Sequence, residues 1–324
     1  MYTSFFGLSE KPFAITPDPR YLFMSERHAE ALAHLLYGIT EAGGFIQLTG
    51  EVGTGKTTAM RWVIRRLDTG VLASYIFNPH LSIEEFYHYI TGMLGVKQWS
   101  NKSELLSQFG ELLDHRHQRG LRTILIVDEA HELSDEVLEE IRLLLNFESD
   151  NAKHLQVVLV GQPELTERLR QPNLRQLKQR VAFRCKLPVL GSVEEVQHYI
   201  NERLRIAGAV ETDLFNDSAV EFIFQCSGGI PRQINNLCDN AMLYAYSADT
   251  RTIDRRIVEE VAASLDMLPD QSLMIGAETS LDLTPQSRVL TEKGRGELIS
   301  STDDVTDISE RDFGDFALDR KHDA

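Results

Sequence analysis

The chain has 324 residues, of which 42% are hydrophobic and 25% are charged, a composition typical of a globular protein with a sizeable core. Its formal net charge of −16 argues against a surface devoted as a whole to nucleic-acid binding. No run of about 18 apolar residues occurs and no signal peptide opens the chain, so we predict a cytoplasmic protein that does not insert into a membrane directly.

Residues 1–27 are predicted to form an irregular N-terminal arm, because Pro12, Pro17 and Pro19 interrupt any regular element. Aromatic residues are interspersed with these prolines, and we expect such an arm to pack across a neighbouring surface. The spacing of apolar residues then predicts a helix over 28–39.

From residue 45 to residue 191, short apolar runs alternate with helical patterns. Strands are predicted over 45–49, 71–78, 123–127, 155–160 and 183–190, and helices over 56–67, 83–94, 103–117, 135–147 and 165–179. Continuous β-branched runs separated by helices are typical of a parallel sheet that is covered on both faces. We therefore predict an α/β core over residues 28–191.

Beyond residue 191 the pattern becomes helical throughout. Helices are predicted over 192–207, 216–226, 232–247 and 254–265, with Ser192 and Glu195 as a capping box. This indicates a small all-helical domain over residues 192–268. Residues 269–324 lose the periodicity and hold 13 acidic against 6 basic residues, which predicts a disordered acidic tail.

A glycine-rich motif follows the first predicted strand. Residues 50–57, here called the phosphate loop, fit G-x-x-x-x-G-K-[ST], with a strand before and a helix after them. Glycines let backbone N–H groups surround phosphate oxygens, and the following helix presents its positive end to the same anion. Lys56 is expected to reach the β- and γ-phosphates, and Thr57 to ligate Mg²⁺. The predicted nucleotide-binding residues are Gly50, Glu51, Val52, Gly53, Thr54, Gly55, Lys56, Thr57, Thr58 and Asp128.

Asp128 and Glu129 follow the strand predicted over 123–127, where a P-loop NTPase requires a carboxylate. Asp128 is predicted to hold Mg²⁺ through its water shell, and Glu129 to polarise the attacking water as a general base. The alternative is that these two acidic residues only cap the next helix. It is the weaker interpretation, because a phosphate loop that would need such carboxylates precedes them in the chain. The predicted ligands are therefore ATP and Mg²⁺. Residues Asp128 to His131 spell DEAH, as in some helicases, but no other helicase signature is visible. His131 is therefore interpreted as a local residue at a helix start.

The order and spacing of these motifs resemble AAA+ ATPases. The resemblance includes a strand ending at Gly161-Gln162 and the run from Gly228 to Arg232 in the helical part. More narrowly, FFGLSEKPFAITPDPRYLFMSERHAEALAHLLYGI, leading into GFIQLTGEVGTGKTT, is similar to ATPases of the general secretion pathway A type and to their relatives in pilus and exopolysaccharide systems. The resemblance covers residues 1–265, and it implies a helical lid over the nucleotide.

The resemblance also implies roles for further residues. Gln162 fits the sensor that orients the attacking water, and Arg232 fits the second sensor, which closes the lid. Arg180 fits the arginine finger given to a neighbouring subunit, with Arg175 as the fallback. These roles imply a homo-oligomer, either a ring or an open arc, for which a hexamer is one candidate. The family resemblance further implies a membrane-complex partner that would hold the protein at the periphery of the inner membrane.

Several alternatives stay open. Family members often continue into a membrane span and a peptidoglycan-binding domain, and this sequence has neither, so a soluble or truncated member is expected. The arm could lie across the adenine or extend onto the next subunit, with Phe13 and Tyr21–Phe23 as the contacts in either case, or it could only cover the sheet edge. The other functional readings are a DNA-associated AAA+ regulator of the transposition type, which the acidic charge disfavours, and an ATP-binding switch without significant turnover, which the intact Lys56 and Glu129 disfavour.

Overall fold

The computed structural model describes residues 2–42, 44–77, 80–96, 99–149 and 152–269. Residues Met1–Asp270 form a single unit. The predicted acidic tail lies outside the described residues except for Pro269. None of the described helices combines the length and the apolar composition needed to cross a bilayer.

The strands and helices follow the alternation read from the sequence. The strands are β1 (Phe45–Thr49), β2 (Val71–Ile76), β3 (Arg122–Val127), β4 (Glu148–Ser149), β5 (Ala152–Lys153), β6 (Gln156–Gly161) and β7 (Val181–Lys186). The helices are α1 (Tyr2–Phe5), α2 (Glu26–Tyr37), α3 (Lys56–Ile64), α4 (Ile83–Leu94), α5 (Lys102–Gln118), α6 (Asp135–Leu144), α7 (Glu164–Arg168), α8 (Arg175–Gln179), α9 (Val193–Ile206), α10 (Asp217–Ser227), α11 (Pro231–Ser247) and α12 (Arg255–Ser264).

The main sheet is parallel, with the strand order β2-β3-β6-β1-β7 among the described residues. Thr49 pairs with Gly161 and Ile76 pairs with Val127, so the carboxyl ends of four strands lie side by side. In an open parallel sheet, ligands bind at this edge, where the loops leave the strands. The phosphate loop and the Asp128-Glu129 pair both leave the sheet there.

Alternate residues of the central strands pack on opposite faces of the sheet. Leu125 and Val157 belong to a core with α4, α5 and α6, whereas Ile124 and Val158 belong to a core with α2 and α3. All four side chains are buried. The predicted sheet covered on both faces is therefore confirmed.

A third core joins α9–α12 to the start of the arm. Tyr2, Leu8 and Phe13 are buried among apolar residues of these helices, and the Phe13 ring packs edge-on against Phe215 at 6.0 Å. Phe13 is 1% exposed, so it is not available to a neighbouring subunit, and its contacts lie in the helical core rather than at the sheet edge. The domain limits at residues 27, 191 and 268 stay a prediction.

Two predicted elements are wrong in detail. The helix predicted over 165–179 is interrupted by a 3-10 turn at Pro172–Leu174, which leaves the short helices α7 and α8. Proline has no N–H and its ring clashes with the preceding turn of a helix. The strand predicted over 183–190 runs instead from Val181 to Lys186, because its partner β1 ends at Thr49, opposite Lys186.

Two local features also differ from the sequence interpretation. Ser192 accepts a hydrogen bond from the Glu195 N–H, but the Glu195 carboxylate accepts from the Gly191 N–H at 2.6 Å, so only half of the capping box forms. The β4–β5 hairpin was not predicted, because two residues per strand are too few to give a pattern.

Candidate nucleotide-binding site

The phosphate loop connects the end of β1 to the start of α3. Gly53 and Gly55 have φ angles of 84° and 94°, which residues with side chains rarely adopt. Thr54 is buried, and its hydroxyl donates to the Glu51 carbonyl at 2.9 Å. Gly55 is the N-cap of α3, so the free N–H groups of that helix open toward the loop. This geometry suits the capture of a phosphate group.

Lys56 lies inside the loop with only carbonyl partners. Its Nζ donates to the carbonyls of Gly50 at 2.9 Å and Glu51 at 3.1 Å, and the residue is 6% exposed. Burial lowers the pKa of Lys56, and the nearby carboxylates of Glu129 and Asp128 oppose this shift. A buried ammonium is stabilised by a closely placed anion, so this lysine suits a phosphate.

Asp128 lies at the end of β3 and is held by three donors. Its Oδ2 accepts from the hydroxyls of Thr57 at 2.9 Å and Tyr75 at 2.7 Å, and its Oδ1 accepts from the Glu129 N–H at 3.0 Å. Burial, with Asp128 nearby, raises the pKa of Tyr75, so the phenol stays a donor. Tyr75 was missed from the sequence, because a tyrosine in a β-strand is ordinarily read as a packing residue.

The pairing of Thr57 with Asp128 fits a Mg²⁺ site. A hydroxyl and a carboxylate are hard oxygen ligands, and protein Mg²⁺ sites usually take few such groups and complete the shell with water and phosphate. The described residues hold no cluster of three or more histidine, cysteine or acidic side chains arranged for a metal. A Mg²⁺ ion here would therefore depend on the nucleotide as well as on these two residues.

Glu129 follows Asp128 in a strained conformation. Its φ of 50° lies in the left-handed region, which costs free energy for a residue with a side chain. Its Oε2 is buried and has no hydrogen-bond donor among the described residues. The side chain lines the pocket beside Lys56. A carboxylate that lines the pocket and is 45% exposed is able to accept a proton from a water molecule there.

Gln162 and His131 lie beside Glu129. Gln162 comes directly after β6 and lines the same pocket. Its N–H donates to Nδ1 of His131 at 3.4 Å, and the same Nδ1 lies 3.5 Å from Oε2 of Glu129. The interpretation of His131 as only a local helix-start residue was incomplete, because its nearly buried ring lies between two predicted site residues.

Arg232 brings the helical part of the chain to the phosphate loop. It lies in the first turn of α11, and its N–H donates to the Gly53 carbonyl at 3.1 Å. A Cβ atom on Gly53 would lie 2.6 Å from the Cβ of Arg232, so glycine is needed for this close approach. The exposed Arg232 side chain lines the pocket.

The arm forms the wall of the pocket opposite the sheet. The pocket encloses about 1010 Å³, open solvent at its mouth included. Its lining includes Ile15, Tyr21, Leu22 and Phe23 from the arm and Leu190 and Tyr199 from beyond the sheet. Residues of the arm between Ala14 and Phe23 thus line the pocket that contains the phosphate loop, and contact of the arm with an adenine stays a prediction.

Two arginines fix the arm in this place. Arg203 of α9 is 7% exposed and donates to the carbonyls of Pro12 at 2.6 Å and Ala14 at 3.3 Å. Arg61 of α3 donates to the Pro17 carbonyl at 3.1 Å. The sequence does not predict either arginine contact, because every residue has a backbone carbonyl and the acceptor therefore has no sequence signature.

The candidate arginine fingers lie away from the pocket. Arg180 precedes β7, at the amino end of the sheet, and its Nη2 donates to Oδ1 of Asn146 at 2.5 Å. Its Nη1 is buried without a hydrogen-bond partner among the described residues. Arg175 is exposed at the start of α8. Within one chain, neither arginine joins Lys56 and Glu129, and the finger role stays a prediction.

Comparisons with known proteins agree with this arrangement. A family model described as "AAA domain" matches residues 39–169. The chain is 46% identical over 256 residues to General secretion pathway protein A of Aeromonas hydrophila, which covers 78% of this chain and 46% of that protein. The chain thus spans less than half the length of this relative.

Solved structures share the fold. Cdc6p from Pyrobaculum aerophilum superimposes with a TM-score of 0.58 at 19% identity, covering 85% of this chain and 74% of that one. Drosophila ORC bound to DNA gives a TM-score of 0.57 at 22% identity, covering 83% and 67%. These identities establish the fold alone. The AAA-domain match and the 46% identity to the secretion-pathway relative support assignment of the chain to the AAA+ proteins of the general secretion pathway protein A type.

Proposed function

We propose that the protein binds ATP with Mg²⁺ and hydrolyses it to ADP and phosphate. The observation that carries this proposal is the convergence of Lys56, Thr57, Asp128 and Glu129 at the carboxyl edge of one sheet. Mg²⁺, when bound, would neutralise charge on the β- and γ-phosphate oxygens. Thr57 and Asp128 would hold it, with Tyr75 keeping the Asp128 carboxylate in place.

The reaction follows from the positions of the side chains. Lys56 exchanges its two carbonyl partners for phosphate oxygens, and Glu129 accepts a proton from the attacking water. The water oxygen then bonds to the γ-phosphorus while the bond from that phosphorus to the ADP oxygen breaks. Gln162 orients the water from the end of β6, and Arg232 binds the phosphates from the lid.

The arm is proposed to bind the base of the nucleotide. Apolar and aromatic side chains suit a flat heterocycle, and Ile15, Tyr21 and Phe23 line the pocket away from the phosphate loop. Because Arg61 and Arg203 hold the arm against α3 and α9, closure of the lid and binding of the base would be coupled.

Hydrolysis is proposed to require a homo-oligomer, in the form of a ring or an open arc, with a hexamer as one candidate. Arg180 lies too far from the pocket to act within its own chain, and its guanidinium is only partly satisfied. Supplied by a neighbour, an arginine meets the charge that develops on the transferred phosphoryl group, an effect worth roughly 10³–10⁵ in rate.

At the level of the cell, we propose that hydrolysis remodels or assembles a cell-envelope secretion, pilus or exopolysaccharide complex. The support is the sequence identity with a protein named for the general secretion pathway. A membrane-complex protein would be the partner, and it would hold this cytoplasmic protein at the inner membrane. The transposition-type alternative has only the fold in its favour, and the net charge of −16 opposes it.

The test is ATP hydrolysis by the purified protein, measured as phosphate release over a range of protein concentrations, with and without duplex DNA. We expect specific activity to rise with concentration and to be unaffected by DNA at low salt. Activity that depends on DNA and is lost steeply with added salt would favour the DNA-associated regulator instead. ATP binding without turnover at any concentration would favour the nucleotide switch.

A further inference from the structure

His131 occupies a position that the proposed reaction does not yet use. Its side chain is 7% exposed, although it belongs to a short turn next to an open pocket. Nδ1 lies 3.5 Å from Oε2 of Glu129 and accepts the Gln162 N–H at 3.4 Å. One ring atom thus touches both the proposed base and the backbone of the proposed sensor.

The hydrogen bond from Gln162 determines where the ring proton lies. Because Nδ1 accepts this bond, a neutral ring carries its proton on Nε2, which lies 3.4 Å from Oε1 of Glu132. The Nδ1 lone pair then faces the Gln162 N–H, and the unprotonated Nδ1 lies 3.5 Å from Oε2 of Glu129. It offers that oxygen no donor, and Oε2 has none elsewhere among the described residues.

The backbone around His131 is fixed independently of its ring. Nη1 of Arg168, in the helix that follows Gln162, donates to the carbonyls of His131 at 2.7 Å and Leu133 at 2.5 Å. The same guanidinium pairs with Asp135 at the start of α6. The turn at residues 130–132 is therefore tied to α7 by the Arg168 side chain and to the residue after β6 by the His131 ring.

We propose that His131 is a positioning residue for hydrolysis, which acts through Glu129 and Gln162. The ring limits where the Glu129 side chain can go and, because Nδ1 acts as an acceptor, offers the Glu129 carboxylate no hydrogen bond. A displacement of Gln162 on nucleotide binding is transmitted to Glu129 through the same Nδ1. This inference rests on the proposed ATP hydrolysis.

The experiment compares three substitutions of His131 in the full chain. His131→Asn places an amide oxygen near the position of Nδ1 and keeps the acceptor for Gln162. His131→Gln places its amide near Nε2 instead, and His131→Phe fills the space without either contact. The measurements are kcat and KM for ATP hydrolysis, together with the Kd of a fluorescent ATP analogue and the Tm.

We expect His131→Phe and His131→Gln to lower kcat by about 10-fold or more, with Kd changed by less than about 3-fold. His131→Asn should recover a large part of kcat. A purely structural role would lower Tm and raise Kd in parallel and would not distinguish Asn from Gln. Equal kcat for His131→Phe and the unsubstituted protein would overturn the inference.

A double substitution separates this inference from the proposed function. If His131 acts through Glu129, then Glu129→Gln with His131→Phe is no slower than Glu129→Gln alone. Independent, multiplying losses would contradict the positioning role while hydrolysis itself stands. Unsubstituted protein that shows no turnover at any concentration would instead contradict the proposed function, whatever the His131 variants do.

Discussion

At the scale of single residues, the two acidic side chains of the site differ in how many hydrogen-bond donors each receives. Asp128 accepts three hydrogen bonds, which fix its orientation, whereas Oε2 of Glu129 accepts none among the described residues. A fixed carboxylate suits a metal-holding role, and an unpaired one suits a base. Adjacent acidic residues therefore acquire different chemistry from their surroundings.

Tyr75→Phe should weaken the Mg²⁺ site without removing the nucleotide pocket, because it deletes one of the donors that orient Asp128. We expect the Mg²⁺ concentration for half-maximal hydrolysis to rise by about 10-fold, while ATP-analogue binding in the presence of EDTA is unchanged. The matched control is Tyr87→Phe, which removes a buried phenol that donates to Glu140 at 2.5 Å, away from the site. Equal Mg²⁺ dependence of both variants would contradict the role of Tyr75.

Gly53→Ala should separate the lid from the phosphate loop, since the added Cβ would meet Arg232 at 2.6 Å. Gly95→Ala is the control: its φ of 77° is also left-handed, but a Cβ there meets nothing within 4 Å. Both variants should lose about 1–2 kcal/mol of stability from backbone strain. Only Gly53→Ala should weaken ATP-analogue binding, by about 10-fold, measured by fluorescence titration. Unchanged affinity would show that the loop–lid contact is not needed for binding.

At the scale of elements, the arm is held between the two parts of the chain by arginines that bind carbonyls. Arg203 donates to Pro12 and Ala14 and lies 4.5 Å from the centre of the Tyr21 ring. Its charge is nearly buried, and it forms no ion pair among the described residues. The neighbouring wall of the pocket is therefore held by this side chain together with Arg61.

Arg203→Met should destabilise the protein by about 1–3 kcal/mol, because the carbonyls of Pro12, which is buried, and of Ala14 lose their donor. It should also weaken ATP binding, since residues 14–23 line the pocket. Arg205→Met on the same helix is the control, because Arg205 is exposed and pairs with Glu202, a contact worth less than about 1 kcal/mol. Denaturant unfolding and nucleotide titration measure the two effects. Identical behaviour of both variants would rule out the arm as part of the binding site.

The sequence predicts elements well where burial alone selects them. The runs FIQLT and TILIV are continuous and apolar because β1 and β3 lie inside a sheet covered on both faces. The helix predicted over 165–179 is too long, because Pro172 interrupts it although apolar residues recur at helical spacing on both sides. The end of β7 could not be read locally, because it depends on the length of β1.

Only part of the candidate site can be predicted from the sequence. The phosphate loop and Asp128-Glu129 have fixed spacing, because nucleotide phosphates have fixed geometry. Tyr75, His131, Arg61 and Arg203 follow no such pattern, because they act on a neighbouring side chain or on backbone carbonyls. Their roles become visible only when distant segments are brought together.

At the scale of the whole molecule, the pocket and the proposed arginine finger lie apart within one chain. Lys56, Glu129, Gln162 and Arg232 line one pocket, whereas Arg180 lies at the other end of the sheet. The proposed assembly resolves this by placing one chain's Arg180 at its neighbour's phosphates. A shared site of this kind would form only where two chains meet.

Mixing Glu129→Gln with Arg180→Ala should therefore restore activity. Each variant alone lacks one component at every site, whereas a mixed assembly contains some interfaces with an intact base and an intact finger. We expect each variant to fall by about 100-fold or more and the mixture to exceed both at equal total concentration. Arg175→Ala in place of Arg180→Ala is the matched control. If only the Arg175 variant complements, the finger is Arg175, and if neither does, the site is not shared in this way.

The central claim is that Glu129 is the base of an ATP-hydrolysing site whose binding residues are separate from it. The most direct measurement compares Glu129→Gln with the unsubstituted protein, using ATP-analogue titration and single-turnover hydrolysis under the same assembly conditions. If Glu129 is the base, the Glu129→Gln variant has a Kd within about 3-fold of the original and a hydrolysis rate lower by about 10²–10⁴. A variant that hydrolyses ATP as fast as the original, or one that loses nucleotide binding together with turnover, would contradict it.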